Sequence, residues 1–434
     1  MKMANMDDYF DVVIVGTGAA GLYCALNLPA RYRILLLTKQ KADESDSFLA
    51  QGGICMQHGE ADYRPFFDDT MRAGHYENNP ATVDLMIRSS NSIIRDLVRR
   101  GVRFARDDHG ALRFTREGAH SRPRILFHED ITGHEITQTL LNEVLRCENI
   151  ELREYTTLLD FFADASACGG VIAAGPDGEP RAIGAGAVVL ACGGIGGLYK
   201  NSTNFPHITG DAIAMALRHG VACEHLDYIQ IHPTTLYSHR KGRRFLISES
   251  VRGEGALLLD KNGNRFTNEL QPRDVVSAAI RAQMEKDGTD HVWEDMRPIG
   301  EAAIREHFPN ILERCEEEGY DPIHEPTPVV PAQHYFMGGI TADLSSRTAL
   351  PRLYACGETC CNGVHGRNRL ASNSLLESLV FARKAADDMI FGQAPEYIKA
   401  DAVDMKMYEN REELLDGYHK AVLNEIERMK KSHE

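Results

Sequence analysis

Residues 11 to 21 read DVVIVGTGAAG, an almost wholly apolar run that breaks into spaced glycines and then continues into a stretch with helical character. A run apolar at successive positions predicts a short strand buried on both faces, as in a parallel sheet. The spacing of Gly16, Gly18 and Gly21 predicts a tight turn into a helix, open enough for a pyrophosphate to approach the helix N-terminus. In this context Gly16, Thr17, Gly18, Ala19, Ala20 and Gly21 are expected to hold a dinucleotide, the alternative being a turn that serves packing alone. The unit also requires a second parallel strand, and RILLLT at 33 to 38 supplies it.

The pattern of an apolar strand running into glycine returns at 187 to 194 (AVVLACGG) and at 353 to 357 (LYACG), which predicts that the chain revisits one sheet. Between them, 222 to 345 has another texture, rich in His and Arg and broken by Pro. It contains LLLDKNGNRFT, where Asn262 and Gly263 suit a hairpin turn. The expected fold is therefore α/β, with a Rossmann-type dinucleotide-binding domain formed by 1–221 and 346–395 and an inserted α+β capping domain at 222–345. Natural hinges lie near 221 and 345, and 396–434 is a short C-terminal helical tail whose charged, amphipathic sequence predicts a solvated helix or helix pair.

A chain of 434 residues can build two or three cores. Its net charge of −15 argues against nucleic acid, and an anionic substrate would need local cations to hold it. No apolar run approaches the roughly 20 residues of a membrane span, and MKMANMDDYF lacks the apolar core of a signal peptide, so the expected location is cytoplasmic, with no membrane association. The ten cysteines show no CxxC spacing; they read as small buried side chains, and no metal site is expected.

Further segments point to the ligand. Thr38 and Lys39 stand where an acidic residue ordinarily receives the adenosine ribose, so the ribose is held in another way or the motif is weaker than its spacing suggests. Ser47 with Ala50, Gln51, Gly52 and Gly53 lets backbone approach a flat ring, or forms a plain loop. Glu358 follows the third glycine-ended strand, and Arg369 to Glu377 reads as the opening of a helix. Its positive end, near Ser374 and Leu375, could stabilise a reduced flavin, or the helix is simply Ser-capped. Pro272 reads as the first position of another helix, continued by Val276 and Ile280, with Arg273 next to it.

Eight stretches occur in order: SFLAQGGI (47–54), TREGAHSRPRIL (115–126), TGDA (209–212), IHPT (231–234), SESVRGEGA (248–256), PRDVV (272–276), HYFMGGI (334–340) and GVHGRNRLASNSLLE (363–377). With them the chain resembles the succinate dehydrogenase and fumarate reductase flavoprotein superfamily, and within it the L-aspartate oxidase family, over nearly everything up to about residue 390. The resemblance implies that the Rossmann-type domain binds FAD, through the glycine turn and Lys39, Ser47, Ala50, Gln51, Gly52, Gly53, Asp211, Glu358, Ser374 and Leu375. Asp46 stands where covalent relatives carry a flavin-linked histidine, so the FAD is expected to be non-covalent.

The substrate implied is L-aspartate, its carboxylates held by His232, His334 and Arg369 in a pocket lined by Ser248 and Glu249. Glu117 replaces a phenylalanine of the dicarboxylate enzymes and can pair with an ammonium group. Arg273 is implied as proton donor or acceptor, with electrostatic positioning as the alternative, because a guanidinium hardly deprotonates near neutral pH. His232 by itself reads as readily as a structural histidine. The resemblance further implies iminoaspartate as product, O2 or fumarate as electron acceptor, and quinolinate synthase as the next enzyme toward NAD.

Departures from the family pattern are Asn362 and Arg367, where Thr and Ala are usual, and Ala212 in place of glycine. Competing readings are a soluble fumarate reductase or succinate oxidase, and a flavoprotein subunit of an electron-transfer complex.

Overall fold

A computed structural model describes residues 9–164, 166–240, 242–391 and 403–433. The start of the expected tail, 396–402, and the boundary at 395 lie outside the described residues.

Tyr9–Val15, Ile34–Leu37, Pro180–Leu190 and Leu353–Ala355 share one seven-stranded sheet, as the three glycine-ended runs and RILLLT predict. Tyr9–Val15 is central, parallel to Ile34–Leu37 on one side and to Pro180–Leu190 on the other. Ile150–Arg153 extends the parallel part, while Cys168–Ala174 and Thr157–Ala163 add an antiparallel edge. Residues 12–15 and Ile34–Leu37 are apolar and buried at every position because both faces of the sheet are covered there. Val12, Ile14 and Leu36 pack on the helices Ala19–Asn27, Pro80–Arg100, Thr132–Val144 and Asn373–Phe391, and Val13, Val15 and Leu37 face Asp211–Arg218.

A second core belongs to the inserted residues. Ile229–Leu236, Thr327–Phe336, Val292–Asp295 and Leu257–Leu259 form an antiparallel sheet, covered by Val276 and Ile280 of helix Arg273–Asp287. The segments leading in and out lie side by side, since Cys223–Glu224 pairs antiparallel with Gly339–Thr341.

Three local expectations change. Pro272 is extended (ψ 150°) and precedes the helix, so Arg273 is its first residue. The hairpin at Asn262 and Gly263 closes its turn, with Gly263 at φ +80° and Asp260 Oδ1 accepting from the amides of Asn262 and Asn264, but its return arm is one bridge, Leu259 to Arg265. Leu257–Leu259 pairs instead with Val292–Asp295, because that partner completes a buried sheet. The tail helix Arg411–His433 is docked and not merely solvated: Tyr418, Val422 and Ile426 are buried in the core over Asp211–Arg218. No helix among the described residues is long and apolar enough to cross a membrane.

Candidate active site

A cavity of about 330 Å³ extends from the ends of Tyr9–Val15 and Ile34–Leu37 to Ser248, Arg273 and His334 of the inserted region. At its nucleotide end a Cβ on Gly16 would strike the Ala191 carbonyl, and one on Gly21 the Gly16 carbonyl, so these two glycines permit backbone to pack on backbone. Gly18 differs, its nearest neighbour being Ser47 Oγ at 3.2 Å, and it lines the cavity. The Ala19 amide donates to Ser47 Oγ at 3.0 Å, and the first turn of helix Ala19–Asn27 carries no acidic residue, which leaves its positive end free for an anion. Ala19 and Gly21 lie behind the cavity wall; Gly16, Thr17, Gly18 and Ala20 form it.

Ser47, Ala50, Gln51, Gly52, Gly53, Lys39, Asp211, Glu358, Ser374 and Leu375 line the same cavity, although they come from five separate parts of the chain. Ser45 Oγ, Asp46 Oδ2 and Gln51 Oε1 are buried in its wall with no protein partner. Orphaned buried oxygens signal a missing polar ligand, and with the free helix end and the glycine cradle they fit a flavin dinucleotide. Lys39 Nζ, in the position expected of a ribose acceptor, is held by Asp211 Oδ2 at 2.7 Å and by the Thr209 hydroxyl and His207 carbonyl, both at 3.1 Å. Burial works against it, yet His419, Lys39 and Thr209 keep the Asp211 carboxyl down at about 2. Glu358 accepts from the Phe336 amide at 2.9 Å, and burial, reinforced by Asp46, pushes its carboxyl up to about 8.

Gly18→Asp places a carboxylate where the helix end faces the cavity. Titrating apoprotein with FAD and following flavin fluorescence should show the Kd raised at least about tenfold, or ~1.4 kcal/mol.

At the other end Glu117, Ser248, Glu249, Arg273, His334 and Arg369 all line the cavity. Glu117 is 4% exposed, and its oxygens accept from Ser372 Oγ at 2.6 Å and Ser250 Oγ at 3.0 Å. Burial and then the neighbouring Glu249 raise its pKa, against Ser372, Arg273 and Ser250. Glu249 remains an ionised carboxylate despite burial, because Arg273 and Arg252 face it. Arg273 Nε donates to Glu249 Oε2 at 2.5 Å and Nη1 to Gln230 Oε1 at 2.8 Å, which leaves Nη2 without a protein partner. Arg369 donates to Ser374 Oγ at 2.7 Å, lies 4.2 Å over the Tyr335 ring, and has a buried Nε with no acceptor.

His334 is neutral, since burial and the nearby Arg273 and Arg369 hold its pKa well below the ordinary value; Nδ1 is 2.8 Å from the Thr203 hydroxyl. His232 stands apart from this group. It is fully buried, outside the cavity lining, with Nε2 3.0 Å from the Ile247 carbonyl and its ring edge-on to His334.

Ser250, Ser372 and Gln230, which hold Glu117 and Arg273 in place, were not singled out in the sequence. Ser250 and Ser372 lie inside the matched stretches, but a serine carries no local sign of the carboxylate it will meet. His419 of the tail, 3.7 Å from Asp211, gave no sign either.

The FAD binding domain family matches residues 11–375. An L-aspartate oxidase of Clostridium perfringens is 45% identical over 425 residues, covering 97% of this chain and 95% of the relative. The chain belongs to the L-aspartate oxidase family. A second member, from Clostridium acetobutylicum, is 46% identical over 380 residues and 87% of each chain. Among solved structures, E. coli quinol fumarate reductase aligns with TM-score 0.82 and 30% identity, over 96% of this chain and 74% of its own. This member of the L-aspartate oxidase family thus carries the FAD-binding fold of the fumarate reductases with a buried glutamate, Glu117, in its substrate end.

Proposed function

We propose that the chain oxidises L-aspartate to iminoaspartate, the first step of NAD biosynthesis through quinolinate, in the cytoplasm and with non-covalently bound FAD. The observation that carries the substrate is the charge pattern of the cavity. A buried carboxylate, Glu117, faces the same space as two buried guanidinium groups, Arg273 and Arg369, which complements a molecule with one ammonium and two carboxylates.

FAD supplies the two-electron acceptor when bound. Arg369 grips one substrate carboxylate with its unpaired Nε, and neutral His334 adds a hydrogen bond. His232 braces the His334 ring from behind. Glu117 receives the ammonium group, and Ser248 and Glu249 shape the wall, Glu249 by fixing Arg273. Arg273, on the wall of the same cavity, holds with its Nη2 the proton that a dicarboxylate acceptor takes up on reduction. Oxidation removes a hydride from Cα and a proton from nitrogen. The electrons pass on to O2, giving H2O2, or to fumarate, giving succinate. Iminoaspartate is the substrate of quinolinate synthase, which makes that enzyme the natural recipient.

A soluble fumarate reductase shares the cationic clamp but has no use for Glu117. In Glu117→Gln, kcat/KM for L-aspartate should fall about 30-fold or more, as for loss of one partner of a buried charge pair, with little change for fumarate. Equal losses with both substrates would reject the ammonium role. Glu117 must be ionised to bind ammonium, so its raised pKa predicts that aspartate kcat/KM falls as pH drops through a value above the ordinary glutamate range. That limb should vanish in Glu117→Gln.

A further inference from the structure

A second cavity of about 270 Å³ lies on the outer side of the loop that carries Glu117, between helix Tyr63–Ala73 and the inserted region. Its wall includes Arg72, Arg116, Gly118, Ala119 and Leu270, and its single carboxylate is Glu117, which also lines the main cavity. The two spaces are thus separated by one thickness of chain. Gly253 allows this, because a Cβ there would press on the Arg116 carbonyl at 3.2 Å, and a Cβ on Gly118 would meet Glu249 Oε1 at 2.5 Å.

Two features of this outer space suit a carboxylate. Arg116 is exposed and makes no ion pair among the described residues, while half-exposed Arg72 is pinned by Asp69 Oδ1 at 2.5 Å and donates to the Ala119 carbonyl at 3.2 Å. The amides of Gly118 and Ala119 have no acceptor among the described residues, and Ala119 holds the left-handed conformation, φ +65°. Successive free amides at such a bend form an anion-binding concavity. In a chain of net charge −15, an anionic substrate gains no general attraction, so a local cationic patch decides its rate of approach.

We propose that this second cavity is an outer binding site for dicarboxylate anions, where Arg116, Arg72 and the Gly118 and Ala119 amides hold the substrate before it passes Glu117 into the main cavity. The proposal rests on the dicarboxylate reading of the main site. Binding then takes two steps, a salt-sensitive capture followed by transfer past the loop.

Stopped-flow mixing of the oxidised, FAD-loaded protein with succinate, a dicarboxylate that has no ammonium group, follows binding through the perturbation of the flavin spectrum. The observed rate should rise hyperbolically with succinate, and its initial slope should fall with added salt. In Arg116→Glu that slope should drop at least about tenfold at low salt, with its salt dependence flattened. Arg31→Glu, the same charge change on a distant exposed site, should keep the original slope and curvature. A linear dependence in the unmodified protein, or equal slopes and salt effects in the two variants, overturns the outer site. If L-aspartate fails to reduce the flavin while succinate still binds in two steps, the outer site stands and the aspartate reading falls.

Discussion

Arg273→Lys should lower kcat for fumarate reduction by about 10²- to 10⁴-fold while FAD stays bound, the range ascribed to a positioned proton donor. Arg273 uses its fork in two directions, Nε to Glu249 and Nη1 to Gln230, and this fixes where the third nitrogen sits. A lysine ammonium is a single point on a flexible stem and cannot satisfy both partners while presenting a donor. The positive charge beside Glu249 is kept, so the substitution isolates the loss of the fork geometry. Flavin absorbance of the purified variant checks cofactor content, and mixing the reduced protein with fumarate checks the proton-delivery step. Turnover within threefold of the unmodified protein would remove Arg273 from the chemistry.

The second large effect is expected at Arg369. Arg369→Gln should cost about 2–5 kcal/mol in kcat/KM for L-aspartate and for fumarate alike, because both place a carboxylate against a buried cation. This common loss separates it from Glu117→Gln, which discriminates between the two substrates. Burial, and next the proximity of Arg273, bring the Arg369 pKa down to about 10. The cation is the binding form, so kcat/KM should be lost as pH rises through about 10, and the free protein should show this limb with both substrates. A profile that is flat there, or an Arg369→Gln variant that loses activity only with aspartate, would contradict the clamp.

Both arginines sit in a region where like charges would repel. They are tolerated because Glu249 lies between Arg273 and Arg252, and because Arg369 rests on the Tyr335 ring. The remaining unpaired capacity, Arg273 Nη2 and Arg369 Nε, is what a dicarboxylate can use.

What the sequence alone determined was local and repetitive. Gly16, Gly18 and Gly21 between an apolar run and a helix specify a tight strand-to-helix turn, since room for backbone is a property of the residues themselves. The three glycine-ended apolar runs and RILLLT likewise meet in one sheet, because an unbroken apolar stretch specifies burial on both faces.

Tertiary structure decided what depends on distant partners. Glu117 is held by serines 133 and 255 residues away. Asp211 takes its low pKa from Lys39 and His419, both far off in sequence. His232 shares the pattern of a ligand yet spends its Nε2 on the Ile247 carbonyl, and the tail helix looks solvated until Tyr418, Val422 and Ile426 find a core to enter. Electrostatics and hydrogen bonding act through space, so a residue's type and neighbours in sequence leave open which charge or carbonyl it will face.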